Sequence, residues 1–227
     1  MMEIESSQEK PPIARFYDSL APFYTRMRDF GHRRDRDAKE LLLEALSPFD
    51  NDSVLDIGTG PGVYAIAIAK RAGCSRVVGI DISETFVNIA KTRAGEADMN
   101  NVEFALGNIE SLDFNDDSFT KIICAGVLSV VSQREQAIKE LSRVLRPGGC
   151  LAVREPRRSQ GLVSRYVGRL PEKSQARRMV RQAGLMFGHF SPDLMTESEL
   201  VDLFAAGDFS QLQLAPSGRD IFITAIK

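Results

Sequence analysis

The sequence predicts an α/β fold, with a mostly parallel central sheet and helices on both of its faces. Short apolar runs alternate with stretches that are apolar at helical spacing, as parallel strands joined by crossover helices require. The first clear run, Val54–Ile57, is apolar apart from Asp56, as a strand buried on both faces is. A glycine turn, Gly58-Thr-Gly-Pro-Gly62, follows directly and opens a helical stripe of Val63, Ala65, Ile66, Ala69 and Ala72.

The bulk numbers fit one domain of 227 residues. Hydrophobic residues make up 43% and charged residues 26%, ordinary values for a soluble globular chain. A net charge of −2 argues against the whole molecule being an electrostatic binder of nucleic acid, so DNA is not expected as a partner. No apolar stretch approaches the roughly 20 residues that span a bilayer. The polar, acidic start, Met1 to Lys10, does not read as a signal peptide. Cys74, Cys124 and Cys150 lack metal or disulfide spacing, and Cys124 reads as a buried small hydrophobe. A reducing cytoplasm and no metal are the expectations. Oligomeric state is left open.

Residues 1–12 read as a flexible tail, and 13–50 as an N-terminal helical segment. Phe16, Leu20, Phe23, Tyr24 and Met27 recur at threes and fours, and Pro22 is expected to break or start a helix. A second helix is expected from about Asp35 to Leu46, with Ala38, Leu41, Leu42 and Ala45 inward. Pro48 and Asp50 to Asp52 turn the chain into the first strand. Arg76–Asp81 is the second strand. Ser83 caps a helix to Gly95 with Phe86, Ile89, Ala90 and Ala94 inward. Asn101–Leu106 alternates as the third strand, and Phe119–Ala125 is the fourth. Gln133–Arg146 is amphipathic, and Leu145–Val153 supplies a helix stop, a turn and the fifth strand. Thr196-Glu-Ser-Glu199 is a capping box for a helix ending near Ala206. Gly207–Leu214 and Ile221–Ile226 read as the last two strands.

A glycine turn between strand and helix suits a nucleotide. The dinucleotide fingerprint needs a third glycine where this chain has Val63. Asp56 would repel a phosphate and suit a cation. An adenosine carrying positive charge and no phosphate fits better, which describes S-adenosylmethionine. Asp81 lies 19 residues past Gly62 (81 − 62), where a carboxylate can accept from both ribose hydroxyls. The competing reading of Asp81 is a solvated acid capping the next helix.

Asp56-Ile-Gly-Thr-Gly-Pro-Gly62 resembles the first motif of class I S-adenosylmethionine-dependent methyltransferases. Arg15-Phe-Tyr-Asp-Ser-Leu-Ala-Pro-Phe-Tyr24 and the Arg146-Pro-Gly-Gly149 turn resemble the ubiquinone/menaquinone biosynthesis (methyltransferase type 11) group. The resemblance covers about residues 53–155. It implies a Rossmann-like sheet of seven strands with the last antiparallel. It implies cofactor contacts from Asp56, Gly58, Thr59, Gly60, Gly62, Asp81, Ile82, Asn108, Ile109 and Ala125. Asn108 stands where the group usually has Asp, and it reads equally well as a turn asparagine. Tyr17 and Tyr24 would reach the methionine part from an N-terminal lid, or else pack under a helix.

The resemblance further implies a substrate cap at 156–190, after the cofactor core at 51–155 and before the closing helix and strands at 191–227. Nine basic residues fall between Arg154 and Arg181, against Glu155 and Glu172. Such a cap could receive an anionic or lipid-like acceptor at a membrane surface, or be an ordinary solvated helix face. The chain has no Pro-Cys nucleophile and no Asp/Asn-Pro-Pro-Tyr/Phe motif after the fourth strand, so nucleobase acceptors are disfavoured. The reading is methyl transfer to a small or lipid-like acceptor, with S-adenosyl-L-homocysteine as product. If a base is used, Tyr17, Tyr24, His32 and His189 are the candidates. The alternatives are an RNA or protein methyltransferase guided by the basic cap, and a non-catalytic cofactor-binding module.

Overall fold

A computed structural model of the chain describes residues 10–29, 33–48, 51–72, 76–157 and 194–227. Two helices, α1 (Pro12–Asp29) and α2 (Arg33–Leu46), precede the sheet. Then follow β1 (Ser53–Ile57), α3 (Val63–Ala72), β2 (Arg76–Asp81), α4 (Glu84–Glu96), β3 (Val102–Leu106) and β4 (Phe119–Ala125). Next come α5 (Arg134–Val144), β5 (Leu145–Pro156), α6 (Glu197–Leu203) with a 3-10 turn at Phe204–Ala206, β6 (Gln211–Ser217) and β7 (Asp220–Ile226).

The seven strands form one sheet in the order β3-β2-β1-β4-β5-β7-β6. β1 to β5 are parallel, and β7 runs antiparallel to both β5 and β6. The chain winds outward from β1 to β3, then restarts on the other side at β4. The switch point therefore lies between β1 and β4, where the carboxyl ends of adjacent strands diverge and a crevice opens.

Side chains alternate across the sheet and build two cores. Val54, Val77, Ile123, Ala152 and Phe222 face α2, α3 and α4. Leu55, Val78, Ile122, Leu151 and Ile223 face α5 and α6. The period of two thus decides which helix layer each strand residue meets. Asp56 and Asp81 share the α3 side with Val54 and Val77, whereas Glu155 shares the α5 side with Val153.

Several sequence expectations need correction. Pro22 lies inside a single continuous α1. An interior proline removes one helix hydrogen bond and costs about 3 kcal/mol. Burial of Ala14, Leu20 and Ala21 and docking on α4 offset that cost. Phe23 is 50% exposed. On α2 the inward face is Ala38, Leu42, Leu43 and Leu46, while Leu41 is 45% exposed. The sixth strand begins at Gln211 rather than Gly207, because Gly207 closes the 3-10 turn by donating to the Phe204 carbonyl. Arg154 belongs to β5, not to a basic cap; it is paired with Asp220 at 3.1 Å, both nearly buried. No helix among the described residues is long and apolar enough to cross a membrane.

Candidate functional site

The glycine turn sits at the switch point, and its backbone explains its composition. Gly58, Gly60 and Gly62 have φ of 62°, 53° and 79°. This left-handed region is one that side chains with a Cβ avoid. A Cβ on Gly58 would collide with Val127, and one on Gly62 would crowd Ala90, Ile66 and Phe104 at 3.1 Å. A Cβ on Gly60 would meet nothing nearer than the Gly58 carbonyl oxygen at 4.0 Å. Gly60, itself buried, thus leaves room on its Cβ side.

Two buried acids hold this turn. Asp56, 1% exposed, accepts at Oδ2 from the Thr59 hydroxyl at 2.7 Å and the Ala65 N–H at 3.1 Å. It thereby satisfies one of the orphan N–H groups at the start of α3. Burial, with a smaller push from Asp81, raises its carboxyl to about 7 against the two hydrogen bonds. Asp81, 8% exposed, accepts at Oδ2 from the Gly60 N–H at 2.8 Å and at Oδ1 from the Ser83 N–H at 2.9 Å. Burial raises its carboxyl too. Each carboxylate oxygen offers two acceptor sites. Asp81 is therefore an anchored acceptor rather than the solvated acid of the competing reading. Thr59 is buried, and its N–H donates to the Ile80 carbonyl, stitching the turn to β2.

The other sequence candidates gather around this edge. Ile82 is half-buried directly after Asp81, and Ile109 is buried. Ala125 ends β4 beside β1. Asn108 is exposed and accepts at Oδ1 from the Glu110 N–H at 3.0 Å, which is the turn-asparagine geometry. Glu110 in turn accepts from the Ser132 and Gln133 N–H groups, so this turn is tied to the residues that lead into α5. Tyr17 and Tyr24 both pack on Phe86 of α4, with ring centroids 6.4 and 5.6 Å away. His32 and His189 lie outside the described residues, as does nearly all of the expected cap.

Glu155 is absent from the sequence candidates, yet it is the most fully bonded acid near the site. It is 0% exposed and accepts from the N–H groups of Val127, Leu128 and Ser129 and from the Ser129 hydroxyl. Arg134 bonds the Leu128 and Ser129 carbonyls of the same loop. The loop that abuts Gly58 is thus held through both its donors and its acceptors. The available signal was strand parity: Glu155 lies two and four residues past Val153 and Leu151, on the face those apolar residues share. Among the described residues, no group of three or more His, Cys, Asp or Glu could hold a metal ion.

A glycine turn at the switch point, with an anchored acid ending the neighbouring strand, is the arrangement of an α/β domain of the nucleotide-binding class. The chain belongs to the methyltransferase domain family, whose family model matches residues 48–198. It is 32% identical over 160 residues to the ubiquinone/menaquinone biosynthesis C-methyltransferase UbiE of Geotalea daltonii, covering 68% of this chain and 66% of that protein. The chain therefore spans just under two thirds of that relative's length. Among solved structures, the [4+2]-cyclase SpnF superposes with a TM-score of 0.74 at 19% identity, covering 95% of both chains. A SAM dependent methyltransferase from Aquifex aeolicus superposes with a TM-score of 0.66 at 19% identity, covering 89% of this chain and 97% of that one. These two likenesses show the fold alone.

Proposed function

We propose that this chain binds S-adenosyl-L-methionine at the glycine turn and catalyses methyl transfer to a small or lipid-like acceptor. The observation that carries the reading is the pairing of Gly60, with room on its Cβ side, and the anchored Asp81. The turn from Gly58 to Gly62 contains no cationic side chain to neutralise a phosphate. Buried Asp56 would oppose an anion at the start of α3. A cationic, phosphate-free adenosine ligand fits these residues. When bound, it supplies an electrophilic methyl group on a sulfonium.

The residues then divide the work of binding and placement. Asp81 accepts from the ribose hydroxyls with the sites that Gly60 and Ser83 leave free. Gly58, Thr59, Gly60 and Gly62 present backbone, and Asp56 keeps that backbone in its turn. Ile82, Asn108 and Ile109 bound the adenine side, and Ala125 ends the strand next to the turn. Holding two reactants in line replaces a costly bimolecular encounter, so placement is the principal catalytic task. The segment 13–50 serves as a lid, with Tyr17 and Tyr24 on its α1 portion, and 156–190 serves as the acceptor cap. A quinone-type ring is the first acceptor to screen, because the Geotalea daltonii relative is named for ubiquinone/menaquinone biosynthesis.

The test is calorimetric titration with S-adenosyl-L-homocysteine, beside Asp81→Ala. Micromolar binding that the substitution weakens tenfold or more, about 1.4 kcal/mol, is the expected outcome. A wild-type protein that ignores this ligand and binds NADH would overturn the reading.

A further inference from the structure

We propose that Asp18 and Ser83 are positioning residues for Asp81, so that docking of α1 and occupation of the cradle form a single coupled equilibrium. The inference rests on the reading of Asp81 as the ribose acceptor.

Ser83 is fully buried between two carboxylates. Its N–H donates to Asp81 Oδ1 at 2.9 Å, and its hydroxyl donates to Asp18 Oδ1 at 2.7 Å. The same hydroxyl oxygen accepts from the Phe86 N–H at 3.2 Å. Asp18 Oδ1 also accepts from the Thr85 N–H at 3.0 Å, reaching α4 from a residue 67 positions earlier. The orphan N–H groups of the first turn of α4 are thus shared between its own cap and the N-terminal helix. Further contacts of α1 fall on the same part of α4. Tyr17 and Tyr24 flank the Phe86 ring, and Lys10 bridges Asp18 and Glu84. α4 is the element that α1 chiefly packs against.

The backbone that fixes the Asp81 carboxylate is therefore the backbone that receives α1. If α1 lifts away, Thr85 and the Ser83 hydroxyl lose their partner and Phe86 loses its cover. The Ile82–Ser83 turn is then free to move, and Asp81 Oδ1 with it. Linkage requires the converse: a ligand that fixes Asp81 must tighten α1. Burial disfavours the Asp18 charge, but Ser83, Thr85 and Lys10 together outweigh it and hold its carboxyl at about 2. The latch is therefore charged at neutral pH.

The experiment is amide hydrogen exchange over residues 12–29, with and without S-adenosyl-L-homocysteine. The proteins are the wild type, Asp18→Ala, Asp18→Asn and Asp81→Ala, each checked for folding by circular dichroism. Without ligand, Asp81→Ala, which removes the acceptor of the Ser83 N–H, should speed α1 exchange, although the substituted residue lies on β2. Asp18→Ala should weaken S-adenosyl-L-homocysteine about tenfold and abolish the slowing of α1 exchange by that ligand. Asp18→Asn keeps an oxygen where Ser83 and Thr85 donate, and should restore most of both effects. Wild-type α1 exchange in Asp81→Ala would overturn the proposal, as would wild-type affinity in Asp18→Ala. A wild type that binds no S-adenosyl-L-homocysteine would defeat the cofactor reading, and the ligand-free comparison would still decide the coupling.

Discussion

The N–H of Gly60 donates to Oδ2 of Asp81 across 2.8 Å, tying the turn after β1 to the last residue of β2. Turn and acid are one unit, so a change in either is felt by both. That unit predicts a contrast between the two glycines flanking Thr59.

Gly60→Ala should fold and lose ligand. Its methyl meets only the Gly58 oxygen at 4.0 Å, and the left-handed φ of 53° costs about 1 kcal/mol. In the proposed binding mode the methyl meets the cofactor, so affinity for S-adenosyl-L-homocysteine should fall at least about tenfold. Gly58→Ala should instead lose stability, because its methyl drives into Val127, in a loop clamped by Glu155 and Arg134. Urea denaturation beside calorimetry separates the two effects. Equal stability losses with unchanged ligand affinity would refute the assignment of Gly60.

Asp56 predicts a pH dependence with a definite sign. Its folded carboxyl sits at about 7, against an ordinary value of 3.8. Between those values the folded protein keeps a proton that the unfolded chain has released. Stability from this group therefore falls as pH rises from 3.8 to about 7. In Asp56→Asn the amide oxygen can accept from Thr59 and Ala65 as Oδ2 does, and nothing titrates. The melting temperature of Asp56→Asn, relative to wild type, should rise between about pH 4 and pH 8. A constant difference would show that Asp56 does not carry the slope.

Glu155→Gln should be destabilised by about 1–3 kcal/mol despite its near-identical shape. Both carboxylate oxygens accept backbone N–H groups, from Val127 and Leu128 on one side and Ser129 on the other. An amide nitrogen on either side faces a donor and leaves an N–H orphaned. Chemical denaturation measures this directly, and a wild-type midpoint would mean that the loop tolerates the loss.

Local signals carried far in this chain. Three glycines with positive φ, the Ser83 cap and the Thr196–Glu199 capping box were all readable, because each is settled within a few residues. Partners set by tertiary structure were not. Asp18 reads as a helix-surface acid until α4 is brought to it. Arg154 and Glu155 read as the start of a charged segment. The pleat sends them to opposite faces, one to Asp220 and Tyr64 and the other to the Val127–Ser129 loop. Pro22 signalled a break that tertiary packing overrode. The turn role of Asn108 was legible as an alternative, but its connection through Glu110 to α5 was not.

The position of β7 bears on how the molecule is made. It comes last among the strands in the chain, yet it lies inside the sheet, between β5 and β6. Cys150 pairs with Ile226, so this contact spans 76 residues (226 − 150). During synthesis β5 must wait with one edge bare until Ile226 has left the ribosome, and β6 has no neighbour before then. Unpaired edges invite intermolecular pairing, and distant pairings form slowly. The nascent chain is thus most exposed to aggregation in the interval between the emergence of β5 and that of β7, when the cradle strands already have their partners and the β5 edge does not.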